Sequence, residues 1–425
     1  MDEEPVSPAT RQRDIVQPGW QRTMWAMVGI QFIMTMSFTI LTPIMPLFLP
    51  DLGVHKPAAI DLWAGILNGT TAFVAAFVSP LWGRVADLHG RKLMLLRSSF
   101  AIGFFTVLMG VSQNVWQFFG ARALMGAFAG FSASAIALVA SQVPEQRLGY
   151  ALGWLSTGQL VGGLVGPVLG GAVADTSGSY RAPFFATAFI CFVALVLAWA
   201  FVHEDFKPPS RAGRKNPTWK SVRFLVQSGG LLALFLVLLL AQFAVRAVQP
   251  VVTLFVQQLV GNIPNVATLA GIAFSVTGVA DLLASPFLGK RSDVIGYRRV
   301  LLICLLGSGL ASIPQAFAGN FWEFMLERFA MGCFIGGVLP TANALVGRQV
   351  PREQRGTIYG LTASATFLGN SLGPLTGGGV AALVGLRWVF LATAGLLFAN
   401  LVWVWFTVQE LRDSGSTVGA SAGGN

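Results

Sequence analysis

Asn114-Val-Trp-Gln-Phe-Phe-Gly-Ala-Arg122 returns 206 residues later as Asn320-Phe-Trp-Glu-Phe-Met-Leu-Glu-Arg328. Asn, Trp, Phe and Arg hold the same places in both copies. The same offset joins Ala64-Gly65-Ile66 to Ala270-Gly271-Ile272 and Ser79-Pro80 to Ser285-Pro286. An offset one residue longer sets Pro43 opposite Pro250. One offset held across half a chain marks an internal duplication.

Composition says what is duplicated. The chain has 425 residues, 54% of them hydrophobic and 11% charged, with mean hydropathy +0.66. Soluble domains carry about 25% charged residues, so the apolar excess belongs to a membrane. The net charge of +10 would suggest nucleic acid in a soluble protein. Here the basic residues sit in short loops between apolar runs, and no nucleic-acid partner is expected. Cys191, Cys304 and Cys333 lie in separate apolar stretches, without disulfide or metal-site spacing. The first 20 residues are polar and mixed in charge, so no cleavable signal peptide is expected.

A span needs about 20 mostly apolar residues. Twelve are read, at 24–48, 62–85, 93–111, 115–140, 150–174, 183–202, 229–256, 267–288, 300–318, 322–346, 358–384 and 388–406. The expected fold is all-α, with twelve transmembrane helices in two pseudo-symmetric six-helix bundles. The bundles occupy 23–203 and 225–409, joined by a linker at 204–224 and flanked by tails at 1–22 and 410–425. One set of loops holds Arg84, Arg91, Lys92, Arg147, six linker cations, Lys290, Arg291, Arg298, Arg299, Arg348, Arg352 and Arg355. The opposite set holds Lys56, Arg181 and Arg387. Positive charge stays in the cytoplasm, so both termini and the linker are expected there. Parallel halves bind substrate near the midplane and alternate its access by rocking.

Three motifs occur twice. The loop after helix 2 carries Gly83, Asp87, Gly90, Arg91 and Lys92, and the loop after helix 8 carries Gly289, Asp293, Gly296, Arg298 and Arg299. The first glycine suits close helix approach and the second a tight turn. The acid suits a contact with a helix N-terminus that forms in one rocking state and breaks in the other. Helices 4 and 10 carry Arg122-x3-Gly126-x3-Gly130 and Arg328-x3-Gly332-x3-Gly336. Arg122 lies about eight residues, or about 12 Å, into its helix, too deep for snorkelling. Helix 5 reads Gly153-x8-Gly162-x3-Gly166-Pro167-x2-Gly170-Gly171, and helix 11 reads Gly360-x8-Gly369-x3-Gly373-Pro374-x2-Gly377-Gly378. Glycines flatten a face and proline kinks a span, which suggests bent helices at the seam between halves.

These motifs resemble those of the major facilitator superfamily, in particular its twelve-span drug:proton antiporters. Pro43-Ile-Met-Pro46 and Pro144-Glu-Gln-Arg147 are also similar to that family, and Glu145 is placed to pair with Arg91. The resemblance implies a proton-driven multidrug exporter of amphipathic compounds in a bacterial inner membrane, acting as a monomer on small molecules. Leu88 departs from the pattern, because many members have a basic residue there.

Such an exporter needs an ionisable group in the membrane. Asp281 in helix 8 is the first candidate for the proton, with Arg122 and Glu327 beside it. The repeat counterpart of Asp281 is Ala75, so duplication alone does not demand an acid. Helix 1 has no charge and offers Gln31 and Thr35. With Arg246, Gln249 and Arg328 they are the candidates for the substrate cavity. Arg246, opposite Thr39 in the repeat, suits an anionic substrate group or an acid. No cofactor or metal site and no catalytic arrangement is recognisable, so an enzyme is not expected. A metabolite exporter, a lipid-like flippase and a non-transporting sensor on the same scaffold stay open.

Overall fold

The computed structural model describes residues 20–204, 229–349 and 355–408, where the regular structure is helical. The first half comprises α1 (Trp20–Ile40), α2 (Ile44–Phe48), α3 (Pro57–His89), α4 (Arg91–Val111), α5 (Val115–Ala127), α6 (Phe131–Gln142), α7 (Leu148–Ser177) and α8 (Ala182–Phe201). The second comprises α9 (Gly229–Ala247), α10 (Gln249–Val260), α11 (Val266–Ile295), α12 (Tyr297–Gln315), α13 (Phe321–Ile335), α14 (Val338–Gln349), α15 (Arg355–Val384) and α16 (Leu386–Thr407). Among the described residues, eleven helical segments are long and apolar enough to cross a membrane. The expected linker beyond Glu204, residues 1–19 of the N-terminal tail, the C-terminal tail and Arg352 lie outside the described residues, while 20–22, expected in the tail, begin α1.

Four spans expected to be single helices are broken, at matching places in the two halves. The first opens at residues 41–43, where Pro43 has no N–H, and three-residue turns replace the ladder (Thr42 N to Thr39 O 3.1 Å, Ile44 N to Leu41 O 3.2 Å). Its counterpart breaks at Val248, before Pro250. The fourth span breaks at Phe128–Gly130, where Gly130 has φ +123. The tenth breaks at Gly336 and Gly337. By contrast α3 and α11 outrun expectation, at 33 and 30 residues. Each stops at a glycine with positive φ, Gly90 (+92) or Gly296 (+96), as a tight turn requires. The face carrying these two turns is here termed the basic side.

Each half has an aromatic centre built from equivalent positions. Phe48, Phe118 and Phe184 meet with ring centroids 5.2–5.8 Å apart. Phe255, Phe324 and Phe390 meet at 5.0–5.7 Å. All six are fully buried. Edge-to-face pairs at such spacing stabilise by about 0.5–1.5 kcal/mol beyond the area they bury.

The glycine stripes divide between two interfaces, which refines the expected seam. Within the first half, a methyl on Gly162, Gly166 or Gly170 would meet the carbonyls of Phe32, Met36 and Ile40 on α1. Within the second, Gly369, Gly373 and Gly377 of α15 meet Leu239, Phe243 and Ala247 of α9 in the same way. Only one face of each stripe crosses to the other half. Gly171 abuts the Ala267 carbonyl and Gly271 that of Pro167, while Gly378 abuts the Asp61 carbonyl and Gly65 that of Pro374. These crossing contacts lie on the side away from the basic loops.

Gly83, Gly149, Gly153 and Gly289 lie on the basic side, and a methyl there meets nothing within 4 Å. The expected close approach at Gly83 and Gly289 is therefore absent from this conformation. These four glycines face open space, whereas Gly171, Gly271, Gly65 and Gly378 on the far side abut backbone of the other half.

Candidate functional site

The two motif arginines occupy equivalent niches. Arg122 and Arg328 are 5% and 7% exposed. Arg122 Nε donates to the Leu67 carbonyl at 2.6 Å, and Arg328 Nε to the Ala273 carbonyl at 3.3 Å. Both acceptors stand on the second helix of the same half. Asn114 and Asn320 cap the two arginine-bearing helices, accepting from Gln117 N (3.0 Å) and Glu323 N (2.9 Å). Glu327 is half-buried, and its Oε2 has no hydrogen-bond partner.

Asp281 stands apart from Arg122. It packs against the break between α13 and α14, where a methyl on Gly336 would strike its Oδ1. Its hydrogen-bond partner is Ser285, 2.8 Å away on the next turn. Ala273, the anchor of Arg328, lies eight residues, or about 12 Å, nearer the start of α11. The candidate acid and the candidate arginines thus occupy different levels of the molecule.

Arg246 forms a third cluster. Its Nε donates to Asn370 Oδ1 at 3.0 Å and its Nη1 to Gln249 Oε1 at 3.2 Å. Neutral amide oxygens orient the guanidinium and leave its charge uncancelled. The counterparts of Asn370 and Gln249 in the first half are Gly163 and Thr42, so the cluster belongs to one half. In the first half, buried Gln31 donates to Ser132 at 3.1 Å and Thr35 at 3.4 Å, and its Oε1 has no partner among the described residues. The substrate candidates thus form separate groups, with Arg328 in a niche of its own.

Of the loop acids, the side chain of Asp293 is described. Asp293 accepts a hydrogen bond from Tyr297 of its own turn, because the flexible Tyr side chain reaches it four residues on. Among the described residues, no hydrogen bond joins Asp293 to a helix N-terminus of the other half. The side chains of Asp87 and Glu145, and the surroundings of Gly360, lie outside those described. The N-terminus of α4 is instead capped by Glu204, which accepts from Arg91 N (2.9 Å) and Lys92 N (2.6 Å). Arg91 donates from its side chain to the Ala137 carbonyl at 2.9 Å. Lys92 donates to the Trp199 carbonyl, and Arg298 repeats this on Trp405 (3.1 and 2.7 Å).

Further groups escaped the sequence reading. Arg97 stacks on Trp82, 3.4 Å from the ring centroid, and donates to the Ala129 carbonyl at 3.3 Å. Trp82 Nε1 donates to the Ala127 carbonyl at 2.7 Å. Together they satisfy carbonyls freed by the break between α5 and α6. On the far side, Asp175 of α7 accepts from the backbone N–H (2.8 Å) and hydroxyl (2.5 Å) of Thr268 at the start of α11. Nearby Tyr180 is held above the ordinary phenol pKa by burial, then by the charges of Asp175 and Asp51. Isolated single residues of these types carry no motif. Only the absence of a repeat counterpart could have flagged Asp175, opposite Ala382.

Known proteins resemble this chain in sequence and in fold. A multidrug resistance protein, MdtG, of Salmonella arizonae is 38% identical over 393 residues, covering 92% of this chain and 97% of the relative. The MdtG of Salmonella dublin is 37% identical over the same shares. In three dimensions the chain resembles the nucleoside transporter NupG (TM-score 0.73, 14% identity, 91% of this chain and all of that one). It also resembles a bacterial homologue of the human lysosomal transporter Spinster, solved inward-facing and occupied (TM-score 0.73, 16% identity, 92% and 97%). The sequence profile described as Major Facilitator Superfamily matches residues 27–263 and 234–422. The chain is a multi-pass membrane transporter that belongs to the Major Facilitator Superfamily.

Proposed function

We propose that this transporter exports amphipathic organic compounds, drugs among them, in exchange for protons entering the cell. The observation that carries the reading is the asymmetry of the halves. Their arginine niches, aromatic centres and crossing glycines are duplicated, whereas Asp281 and the Arg246 cluster are not. Symmetric parts suit a rocking scaffold, and an intramembrane acid without a counterpart suits a proton carrier. The multidrug resistance relatives support export as the direction.

In this reading twelve helices form two six-helix bundles, as a monomer in a bacterial inner membrane. The basic loops, both termini and the linker face the cytoplasm. The structure then represents an inward-open state, closed at its outer side. Arg246, oriented by Asn370 and Gln249, receives an anionic substrate group. Arg122 and Arg328 brace helix pairs within their halves.

The test is transport in liposomes under an imposed pH gradient. Wild type accumulates substrate against its gradient and releases protons as it does so. Asp281→Asn retains exchange of substrate down its gradient and loses proton-driven accumulation. Accumulation by Asp281→Asn equal to wild type would remove the acid from the mechanism.

A further inference from the structure

Ser285 Oγ lies 2.8 Å from Asp281 Oδ1 and 2.7 Å from the carbonyl oxygen of Gly336. A hydroxyl has one hydrogen to donate and can also accept. Two neighbours that only accept cannot both be served by it.

The Gly336 carbonyl depends on that hydrogen for a covalent reason. Its helical donor would be the N–H four residues on, but residue 340 is proline and has none. In the first half the equivalent carbonyl, of Gly130, receives the Ser134 N–H at 3.1 Å. The position equivalent to Asp281 there is Ala75. Relative to the first half, the second has therefore lost a backbone donor and gained an acid beside the hydroxyl that replaces it among the described residues.

We propose that Ser285 is a positioning residue that transmits the protonation state of Asp281 to the break between α13 and α14. This rests on the reading of Asp281 as the carrier of the coupled proton. With a proton on Asp281, the carboxyl O–H donates to Ser285 Oγ and the serine O–H donates to the Gly336 carbonyl. The Ser285 hydroxyl and the Gly336 carbonyl are then both satisfied. When the proton leaves, the carboxylate takes the serine hydrogen, because a charged acceptor binds it more strongly. The Gly336 carbonyl is left without a donor in a packed site, which favours turning the helix at this break. The break fits closely because it is glycine. A methyl at Gly336 would strike Asp281, and one at Gly337 would lie 2.5 Å from Cys304 Sγ.

Other charged groups on the packed helices are engaged or distant. Asp175 of α7 binds Thr268, and Arg328 of α13 binds Ala273. Glu327 adjoins Arg328 on α13, nine residues from Gly336. Arg298 and Arg299 open α12 at the basic side, and Arg348 lies over Tyr297 there. Among the described residues, Ser285 is the hydrogen-bond partner of Asp281.

The test compares Ser285→Ala, Ser285→Thr and Asp281→Asn in the full chain. Spin labels at the cytoplasmic ends of α7 and α14 report the conformation in acidic and alkaline buffer. Infrared difference spectra report the protonated carboxyl of Asp281, identified by its loss in Asp281→Asn. In Ser285→Ala the pH-dependent distance change disappears and the carboxyl band shifts. Proton-driven flux falls about tenfold, the scale of one buried hydrogen bond to a charged group. Ser285→Thr, which keeps the hydroxyl, restores band, distance change and flux. A Ser285→Ala variant with wild-type distance change and an unmoved band overturns the relay. Proton-driven flux surviving in Asp281→Asn instead overturns the coupling role of the acid, while the Ser285 distances and band still decide the relay.

Discussion

Replacing Asp175 by Ala should open the side away from the basic loops, which is the outer side in the proposed orientation. In the structure, the Asp175 carboxylate caps α11 from the other half of the chain, through the N–H and hydroxyl of Thr268. The residue that normally does this, Asn265, makes no side-chain cap bond. Loss of a cap costs about 1 kcal/mol. The attraction between a carboxylate and a helix N-terminus adds about 0.3–1 kcal/mol, and the hydroxyl bond about 0.5–1.5 kcal/mol. The group is only partly buried, so about 2 kcal/mol in total is a fair figure, screened at high salt. The bonds exist only while the far side is closed, so the whole difference acts on one conformation. That shifts the ratio of outer-open to outer-closed molecules by about 30-fold. Asp175→Asn keeps an acceptor oxygen and loses the charge, so its shift should be about fivefold. Pulsed electron–electron resonance between labels at the outer ends of α7 and α11 measures the ratio directly. Leu62→Ala, at the position equivalent to Thr268, serves as the control. An unchanged distance distribution in Asp175→Ala, or an equal shift in Leu62→Ala, refutes the reasoning.

Further outcomes follow from the packing and the polar clusters. Gly170→Ala drives a methyl into the Ile40 carbonyl and should destabilise by about 1–3 kcal/mol, the usual scale of overpacking. Gly153→Ala, with open space around it, should leave the melting temperature in detergent unchanged. Arg246→Gln should weaken binding of anionic substrates about tenfold, the loss of one charge-assisted contact, and leave neutral ones unaffected; competition binding checks this. Glu204→Ala uncaps α4 and should cost about 1 kcal/mol, read as faster amide exchange at Arg91 and Lys92, while Glu204→Gln recovers part of the loss.

The repeat made much of this architecture legible. The offset of 206 to 207 residues places Arg122 opposite Arg328 and Pro43 opposite Pro250, and the structure puts each pair in equivalent surroundings. Hydropathy located the apolar runs but not the breaks at Gly130 and Gly336, because a helix interrupted by one turn remains equally apolar. Symmetry also misled. Gly83 and Gly289 look like contact glycines, yet contact there depends on which side of the molecule is closed, and composition is blind to that. The candidate site was legible only one residue at a time. Asp281 and Arg246 announce themselves by charge, whereas Ser285 and Asn370 are ordinary polar residues whose meaning comes from what lies across the gap. Pro340 matters through a hydrogen atom that it lacks.

The crossing glycines have a mechanical consequence. Gly171 with Gly271, and Gly378 with Gly65, rest on bare carbonyls at two places related by the repeat. Backbone against backbone is a smooth surface with no teeth, a pair of matched bearings on either side of one axle. If the halves turn as rigid bodies, neither bearing can part while the other stays seated. A single catch such as Asp175, fitted beside one of them, then restrains both.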